Sequence, residues 1–200
     1  MSKNIFIIGL NDFFHEKLKG IRGAEDYTFH GLIDPALLYE TEEFDIPGML
    51  AEAEKQLSAF DGSIDAIAGY MDFPVSTMLP ILCGKFGTRT TSLEALLKCE
   101  HKYWSRKVQH EVIPDHIPAF AAFDPFDESA LQRIGEAGLG FPFFVKPIKS
   151  SGSRLGFRID NPEDFDHAVE KLRADIGSIS EPFNYVLERA DLPAEVRAVD

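Results

Sequence analysis

Cysteine and basic residues are scarce in this sequence, and their scarcity excludes several classes of protein. The 200 residues contain two cysteines, Cys83 and Cys99, which are too few for a disulfide framework or a structural zinc site. Lysine and arginine number 20 against 33 aspartates and glutamates. The formal net charge of −13 argues against a nucleic-acid partner, because phosphate backbones attract basic surfaces. A small anionic ligand stays compatible with this charge, since it needs only a local positive pocket.

Long apolar runs are missing as well. No segment approaches the roughly 20 apolar residues that a helix needs to cross a bilayer. With so few cysteines, a reducing compartment is the default environment. The hydrophobic fraction of 44% is nevertheless ordinary for a globular protein, so we expect a sizeable core. We therefore expect a cytoplasmic protein without a membrane partner.

The first half of the chain alternates between short apolar runs and amphipathic segments. The run "NIFIIG", residues 4–9, is apolar from Ile5 to Ile8 and ends in glycine, as in a buried parallel strand. Further strands are predicted at 27–33 and 65–69, and helices at 13–19, 48–60 and 74–85. This alternation predicts an α/β domain over residues 1–92, in which helices cover a Rossmann-like parallel sheet.

The second half predicts an α+β arrangement. A linking helical segment, residues 93–114, is expected to start after Ser92 as its cap and to contain a break. Asn161 is predicted to cap a later helix, because Pro162 follows it at the first helical position. Strands are predicted at 118–123, 142–147, 155–160, 183–189 and 194–200, and helices at 127–138 and 161–176. We therefore expect a subdomain over 115–190 and, over 191–200, the start of a further lobe of a longer protein.

One lysine lies in the middle of a predicted strand, in the segment "FPFFVKPIKSSGSRLGFRID", residues 141–160. Strand alternation places Phe144 and Lys146 on the face opposite Val145. A buried lysine needs an anion, because an unpaired ammonium is costly inside a protein. The small residues that follow, 150–153, offer backbone N–H groups to such an anion, and the strand–loop–strand order predicts a flap. A hairpin with a flexible polar tip, whose lysine reaches water, remains the alternative.

The common phosphate-binding motifs do not fit this loop. A Walker A motif has a helix after its loop and ends in Gly-Lys-Ser/Thr, and neither feature is found here. The segment "GLNDFF" after the first predicted strand lacks the second and third glycines of a dinucleotide fingerprint. Elsewhere, Lys102 lies on the linking helix, and Glu188 and Glu195 bracket a turn near the end of the sequence. Taken singly, these three residues are typical of solvated helices and acidic turns.

Taken together, in this order and spacing, "KYWSR", "FFVKP", "SSGSRLG" and "YVLERA" resemble the ATP-grasp superfamily over nearly the whole chain. The resemblance implies a pre-ATP-grasp domain followed by the first part of the ATP-grasp module. It implies that Lys102 contacts the α-phosphate of ATP and that Lys146 contacts the α- and β-phosphates. It also implies that a flexible loop covers the triphosphate, with these residues: Ser150, Ser151, Gly152, Ser153 and Gly156.

The same resemblance implies the remaining parts of a nucleotide site. A strand that ends in Glu188, followed by Arg189 and Ala190, is expected to form the inter-lobe hinge that faces adenine. Glu195, at the start of the next predicted strand, is expected to bind the ribose hydroxyls. Ligands for Mg²⁺ are expected beyond Asp200, so the 200 residues alone are expected to be inactive.

The activity that the resemblance implies is ATP-dependent ligation of a carboxylate to an amine. ATP phosphorylates the carboxylate, and an amine or similar nucleophile attacks the acyl phosphate while the loop excludes water. A non-catalytic nucleotide-binding or regulatory module and a biotin-carboxylase-like enzyme remain alternatives, and a homodimer is left open. Asn11, Asp12 and residues 70–72 lie at predicted strand ends where substrates bind in such sheets, or they only form turns.

Overall fold

The computed structural model describes residues 2–41, 43–150 and 152–199. The chain divides into two compact units, Met1–Leu96 and Leu97–Asp200. The finer division into four segments stays a prediction. Among the helices of the described residues, none is both long enough and apolar enough to cross a membrane.

A three-stranded parallel sheet forms the centre of the first unit. Its strands are β1 (Lys3–Ile8), β2 (Tyr27–Leu32) and β3 (Ala66–Ala68), in the order β2-β1-β3. In the register, Ile5 lies opposite Phe29 on one side and Ala66 on the other. The parallel sheet predicted from the alternating pattern is therefore confirmed.

Helices connect these strands and bury the apolar face of each segment. They are α1 (Asp12–Lys19), α2 (Ala36–Tyr39), α3 (Ile46–Ala59) and α4 (Val75–Phe86). Helix α3 buries Met49, Ala53 and Leu57, which recur every four residues and so lie on one side of the helix. Its first turn is capped by Asp45, whose carboxylate accepts the Gly48 N–H at 3.0 Å.

The second unit contains a β-hairpin packed against helices. Strands β4 (Phe143–Val145) and β5 (Phe157–Ile159) are antiparallel, with Val145 opposite Phe157. The helices are α5 (Leu93–Glu100), which enters the unit, α6 (Lys102–Val112), α7 (Ala130–Glu136), α8 (Pro162–Asp175), α9 (Gly177–Leu187) and α10 (Ala194–Arg197). The hairpin and helix α8 are adjacent in the chain and share one core.

One face of the hairpin forms the core of this unit. Val145 and Ile159 point into a buried cluster with Ile134 of α7 and with Phe165 and Leu172 of α8. The opposite face of β4 is not covered in this way, since Phe144 is 68% exposed. The helices that form the described core of this unit therefore pack on the Val145 side of the hairpin, and Phe144 lies on the other side.

Two predicted helix caps are confirmed. The Ser92 hydroxyl accepts the Ala95 N–H at 3.1 Å, one residue before helix α5 begins. The Asn161 side chain accepts the Asp164 N–H at 2.9 Å at the start of α8. The break expected in the linking helix falls at His101, between α5 and α6. At Ser92 and Asn161, a short polar side chain accepts a hydrogen bond from an N–H group of the first turn, which has no acceptor within its own helix.

The strand predicted at 183–189 is wrong, because this segment belongs to helix α9 and the turn after it. Phe183, Val186, Leu187 and Ala190 are all buried. Their spacing of three, one and three residues is the spacing of one helix face. The apolar run "YVL" is too short to distinguish a strand from a helix, so it did not indicate the helical period.

The predicted strands at 118–123 and 194–200 are also wrong. Residues 118–124 have no regular secondary structure, although the ring of Phe120 packs 5.8 Å from that of Tyr103. These apolar residues are used for packing without a partner strand. Residues 194–197 form the short helix α10 after Pro193, and Asp200 lies outside the described residues.

Candidate functional site

A cavity of about 400 Å³ lies on the open side of the β4–β5 hairpin. Its lining consists of Lys102, Phe144, Lys146, Ser150, Gly152, Ser153, Arg154 and Gly156. Three of these side chains are cationic and none is acidic. The volume is in the range of small-molecule sites. The arrangement is therefore a local positive pocket on a chain with a net charge of −13.

Lys146 reaches this cavity from the residue after β4. Val145 is buried in the core, while Phe144 and Lys146 are exposed on the other side, as the alternation predicts. The Lys146 Nζ lies 6.0 Å from the centre of the Phe144 ring. The prediction that Lys146 is buried is wrong, because the helices of the described core cluster pack on the Val145 side of the hairpin and Lys146 lies on the other side. Lys146 nevertheless shares the cavity with Lys102 and the serine-containing loop.

Lys102 enters the cavity from the first residue of helix α6. Its Nζ donates to the Ser150 carbonyl at 2.9 Å, to the Ser150 Oγ at 3.3 Å and to the Ile148 carbonyl at 3.4 Å. Its backbone N–H donates to the same Ile148 carbonyl at 3.1 Å. The half-buried lysine therefore binds the beginning of the loop instead of extending into solvent.

The loop itself has an unusual backbone. Gly152, Ser153 and Leu155 have φ angles of 58°, 61° and 53°, in the left-handed region that non-glycine residues rarely adopt. The Gly156 N–H donates to the Ser153 carbonyl at 3.1 Å and closes a tight turn. Turns that place left-handed residues next to right-handed ones form concavities of successive N–H groups that bind anions. Ser151, also predicted to contact the triphosphate, lies outside the described residues.

Arg154 is a cation of the cavity that sequence reasoning missed. It lies in the loop, where its Nη2 donates to the Ser178 Oγ of helix α9 at 3.0 Å. Phe144 was missed as well, although the alternation had placed it on the same face as Lys146. The signal available in the sequence was an aromatic residue on the same strand face as Lys146.

The residues predicted to form the hinge do not line this cavity. The Glu188 N–H donates to the Asn184 carbonyl at 3.0 Å, so it closes the last turn of α9. The Arg189 guanidinium stacks on the Tyr185 ring at 3.4 Å, and Ala190 is buried. The backbone groups that a hinge strand would present to adenine are thus engaged at the end of a helix.

Glu195 also lies away from the described lining of the cavity. It is in helix α10, not at the start of a strand, and its Oε1 is 3.2 Å from the Lys107 Nζ. Hydrogen bonding and charge attraction from this carboxylate raise the pKa of Lys107 above its ordinary value. The role at the ribose hydroxyls stays a prediction.

Metal ligands are a separate question. The described residues include no group of three or more His, Cys, Asp or Glu side chains placed to hold a metal ion. The binding chemistry of the described site is therefore that of lysine and arginine cations, serine hydroxyls and backbone N–H groups.

The fold and the site define a mixed α/β protein with a cationic cavity beside a β-hairpin. No protein-family model matches the sequence, and no curated protein matches it either. A solved structure does match: the L-amino acid ligase from Bacillus licheniformis, with a TM-score of 0.61 and 15% sequence identity. The match covers 86% of this chain and 41% of that protein, so this chain spans less than half of the ligase. At this identity the likeness concerns the fold alone, and it supports the ATP-grasp fold predicted from the sequence.

Proposed function

We propose that this chain is the ATP-binding part of an ATP-grasp ligase, which activates a carboxylate as an acyl phosphate for attack by an amine. The observation that carries the proposal is the cavity shared by Lys102, Lys146, Arg154 and the left-handed loop. The fold shared with an L-amino acid ligase supports the ligase class, and it suggests amino acids as the source of the carboxylate and the amine.

The polyphosphate of ATP matches the chemistry of this cavity. Three cations and the hydroxyls of Ser150 and Ser153 suit a chain of negatively charged phosphates, because charge-assisted hydrogen bonds are stronger than neutral ones. Lys102 already lies against the loop through its bonds to Ser150. A phosphate bound at Lys102 would therefore lie beside the start of the loop.

The adenine ring has a candidate partner in Phe144. This side chain is 68% exposed and lies in the same cavity as the lysines. An exposed ring in a small-molecule cavity offers a flat apolar face, on which a nucleobase stacks favourably. We assign the base to Phe144 and the phosphates to the cations and the loop.

In the proposed reaction, the described residues bind and shield the reactants. Lys146 and Arg154 neutralise charge that develops on the phosphates, and the loop covers the acyl phosphate against water. The described residues offer no group of three or more carboxylates placed to hold Mg²⁺.

The proposal is tested by measuring ATP binding to the wild-type chain and to Lys146→Met. We expect this variant to bind ATP about 10- to 100-fold more weakly, which is the effect of losing one charge-assisted hydrogen bond. The melting temperature without nucleotide should stay within a few degrees, because the side chain is exposed. Lys171→Met is the matched control, since Lys171 is exposed on helix α8 outside the cavity lining. Equal ATP affinity in both variants, or no ATP binding by the wild type, would contradict the proposal.

A further inference from the structure

We propose that the buried ion pair between Glu100 and Lys149 is a positioning device, which holds the start of the loop against the first turn of helix α6. Its meaning for catalysis rests on the proposed function, whereas its effect on the loop does not. The pair would fix the place of Lys102 relative to the segment that follows Lys146.

The ion pair is the most buried one described in this chain. The Lys149 Nζ lies 2.8 Å from the Glu100 Oε2, and the two side chains are 8% and 11% exposed. Desolvation of two charges offsets most of their attraction, so a pair of apolar residues would often serve stability as well. Stability alone therefore explains a buried ion pair at these two positions poorly. The selection of one arrangement of the chain explains it better.

The neighbours of the pair show which arrangement it fixes. Glu100 is the last residue of α5, and Lys102 is the first of α6. On the other side, Ile148 and Ser150 flank Lys149 and both accept hydrogen bonds from Lys102, at 3.1 Å for its backbone N–H and 2.9 Å for its Nζ. Three consecutive residues, 148–150, are thus attached to the junction between α5 and α6.

The junction itself is built to stay in place. His101, which separates the two helices, is fully buried, and its Nδ1 accepts the Trp104 N–H at 3.0 Å. Its backbone N–H donates to the Leu97 carbonyl at 2.8 Å. The junction is fixed by the contacts of His101, and the ion pair attaches Lys149 to it. Ser150, the next residue, is therefore the anchored end of the loop.

A consequence for ligand binding follows from this anchoring. The ion pair does not line the cavity, but it sets the position of Ser150 and of the Lys102 ammonium, which do. Removal of the pair should therefore weaken binding of the phosphate chain. It should leave binding of a nucleoside at Phe144 unchanged, because Phe144 belongs to the hairpin and not to the junction.

The first measurement needs no nucleotide. Hydrogen exchange of the Lys102 amide reports the bond to Ile148, because the first N–H of a helix has no acceptor within its own helix. We expect exchange of this amide to accelerate about tenfold or more in the double variant Glu100→Leu/Lys149→Met, and the His101 amide to keep its protection. The double variant removes both charges of the pair, so it remains informative even where Glu100→Leu or Lys149→Met alone does not fold.

The second measurement uses tripolyphosphate and adenosine as separate probes. In the double variant we expect tripolyphosphate binding to weaken about tenfold and adenosine binding to match the wild type. Lys149→Arg, which retains the charge, should keep both affinities and the protection of the Lys102 amide.

The outcomes separate this inference from the proposed function. A wild type that binds neither probe refutes the proposed function, while the exchange of the Lys102 amide still decides the positioning role. Wild-type exchange and wild-type tripolyphosphate affinity in the double variant would overturn the inference. A loss in Lys149→Arg as large as in the double variant would overturn it too, since the charge would then be irrelevant.

Discussion

Truncation of Phe144 to alanine should weaken nucleotide binding through the base alone. An aromatic side chain carries roughly 200 Å² of surface, and Phe144 is 68% exposed. If a stacked base covers about half of that exposed area, about 70 Å² is buried, which is worth about 1.7 kcal/mol at ~25 cal/mol per Å². This free energy corresponds to a roughly 20-fold increase in Kd, and it lies within the ~1–3 kcal/mol typical of base–aromatic stacking.

The assay compares three ligands by calorimetry: ATP, adenosine and tripolyphosphate. Phe144→Ala should lose affinity for ATP and adenosine by the same factor and keep its affinity for tripolyphosphate. Lys146→Met should show the opposite pattern, with adenosine unchanged. Phe126→Ala is the matched control, because Phe126 is 61% exposed in the same unit and lies outside the cavity lining.

Two results would refute the stacking argument. One is an adenosine affinity that Phe144→Ala leaves unchanged while the wild type binds adenosine measurably. The other is an equal loss for tripolyphosphate, which would mean that the substitution deforms the hairpin. Unfolding in urea detects such deformation independently, because truncation of an exposed side chain should change the free energy of unfolding by less than about 0.5 kcal/mol.

Three further predictions concern the first unit and are all measured by urea unfolding. Burial, followed by a hydrogen bond to a neighbouring tyrosine, raises the pKa of the Tyr70 hydroxyl. The neutral hydroxyl therefore stabilises the fold below pH ~10, and this contribution is lost at higher pH. Tyr70→Phe should flatten the loss of unfolding free energy at alkaline pH. A backbone N–H donated to Asp65 lowers the pKa of its carboxyl; this contribution is present above pH ~4 and lost as the pH falls, so Asp65→Asn should flatten the acid limb, and an unchanged limb would contradict the assignment. Gly9→Ala should cost about 1–2 kcal/mol for its φ of +67°, and more because its new Cβ would clash with the buried Leu38 side chain. Gly23→Ala, at φ +81° in open space, is the control and should cost only the backbone part.

Local signals in the sequence predict much of this fold. Ser92 and Asn161 mark helix starts because the cap is an interaction between a side chain and an N–H three residues away. Alternation over three residues assigns Val145 to the core and Phe144 to the open face. Each of these inferences needs only the chemistry of one short segment.

The predictions fail where the local pattern fits both a strand and a helix, or where residues distant in the sequence determine whether a side chain is buried. The run at 183–187 is apolar enough for a strand, and only its extension to Ala190 shows a helical period. The burial of Lys146 depends on whether another element packs on its side of the hairpin. The alternation of residues within a strand carries no information about this packing. Lys149, three residues later, is the buried lysine instead, because Glu100 of a distant helix pairs with it.

The nucleotide hypothesis does not depend on the burial of Lys146 that the sequence pattern had predicted. A triphosphate needs cations that converge on one cavity, and exposure of one of them leaves that requirement intact. Convergence is seen between Lys146, Arg154 and Lys102, which reaches the loop across 48 residues of sequence to Ser150. An exposed lysine is also cheaper to keep charged before the ligand arrives, because it retains its water. The site therefore combines an anchored cation at Lys102 with hydrated cations on the hairpin and loop, and the phosphates would complete the contacts between them.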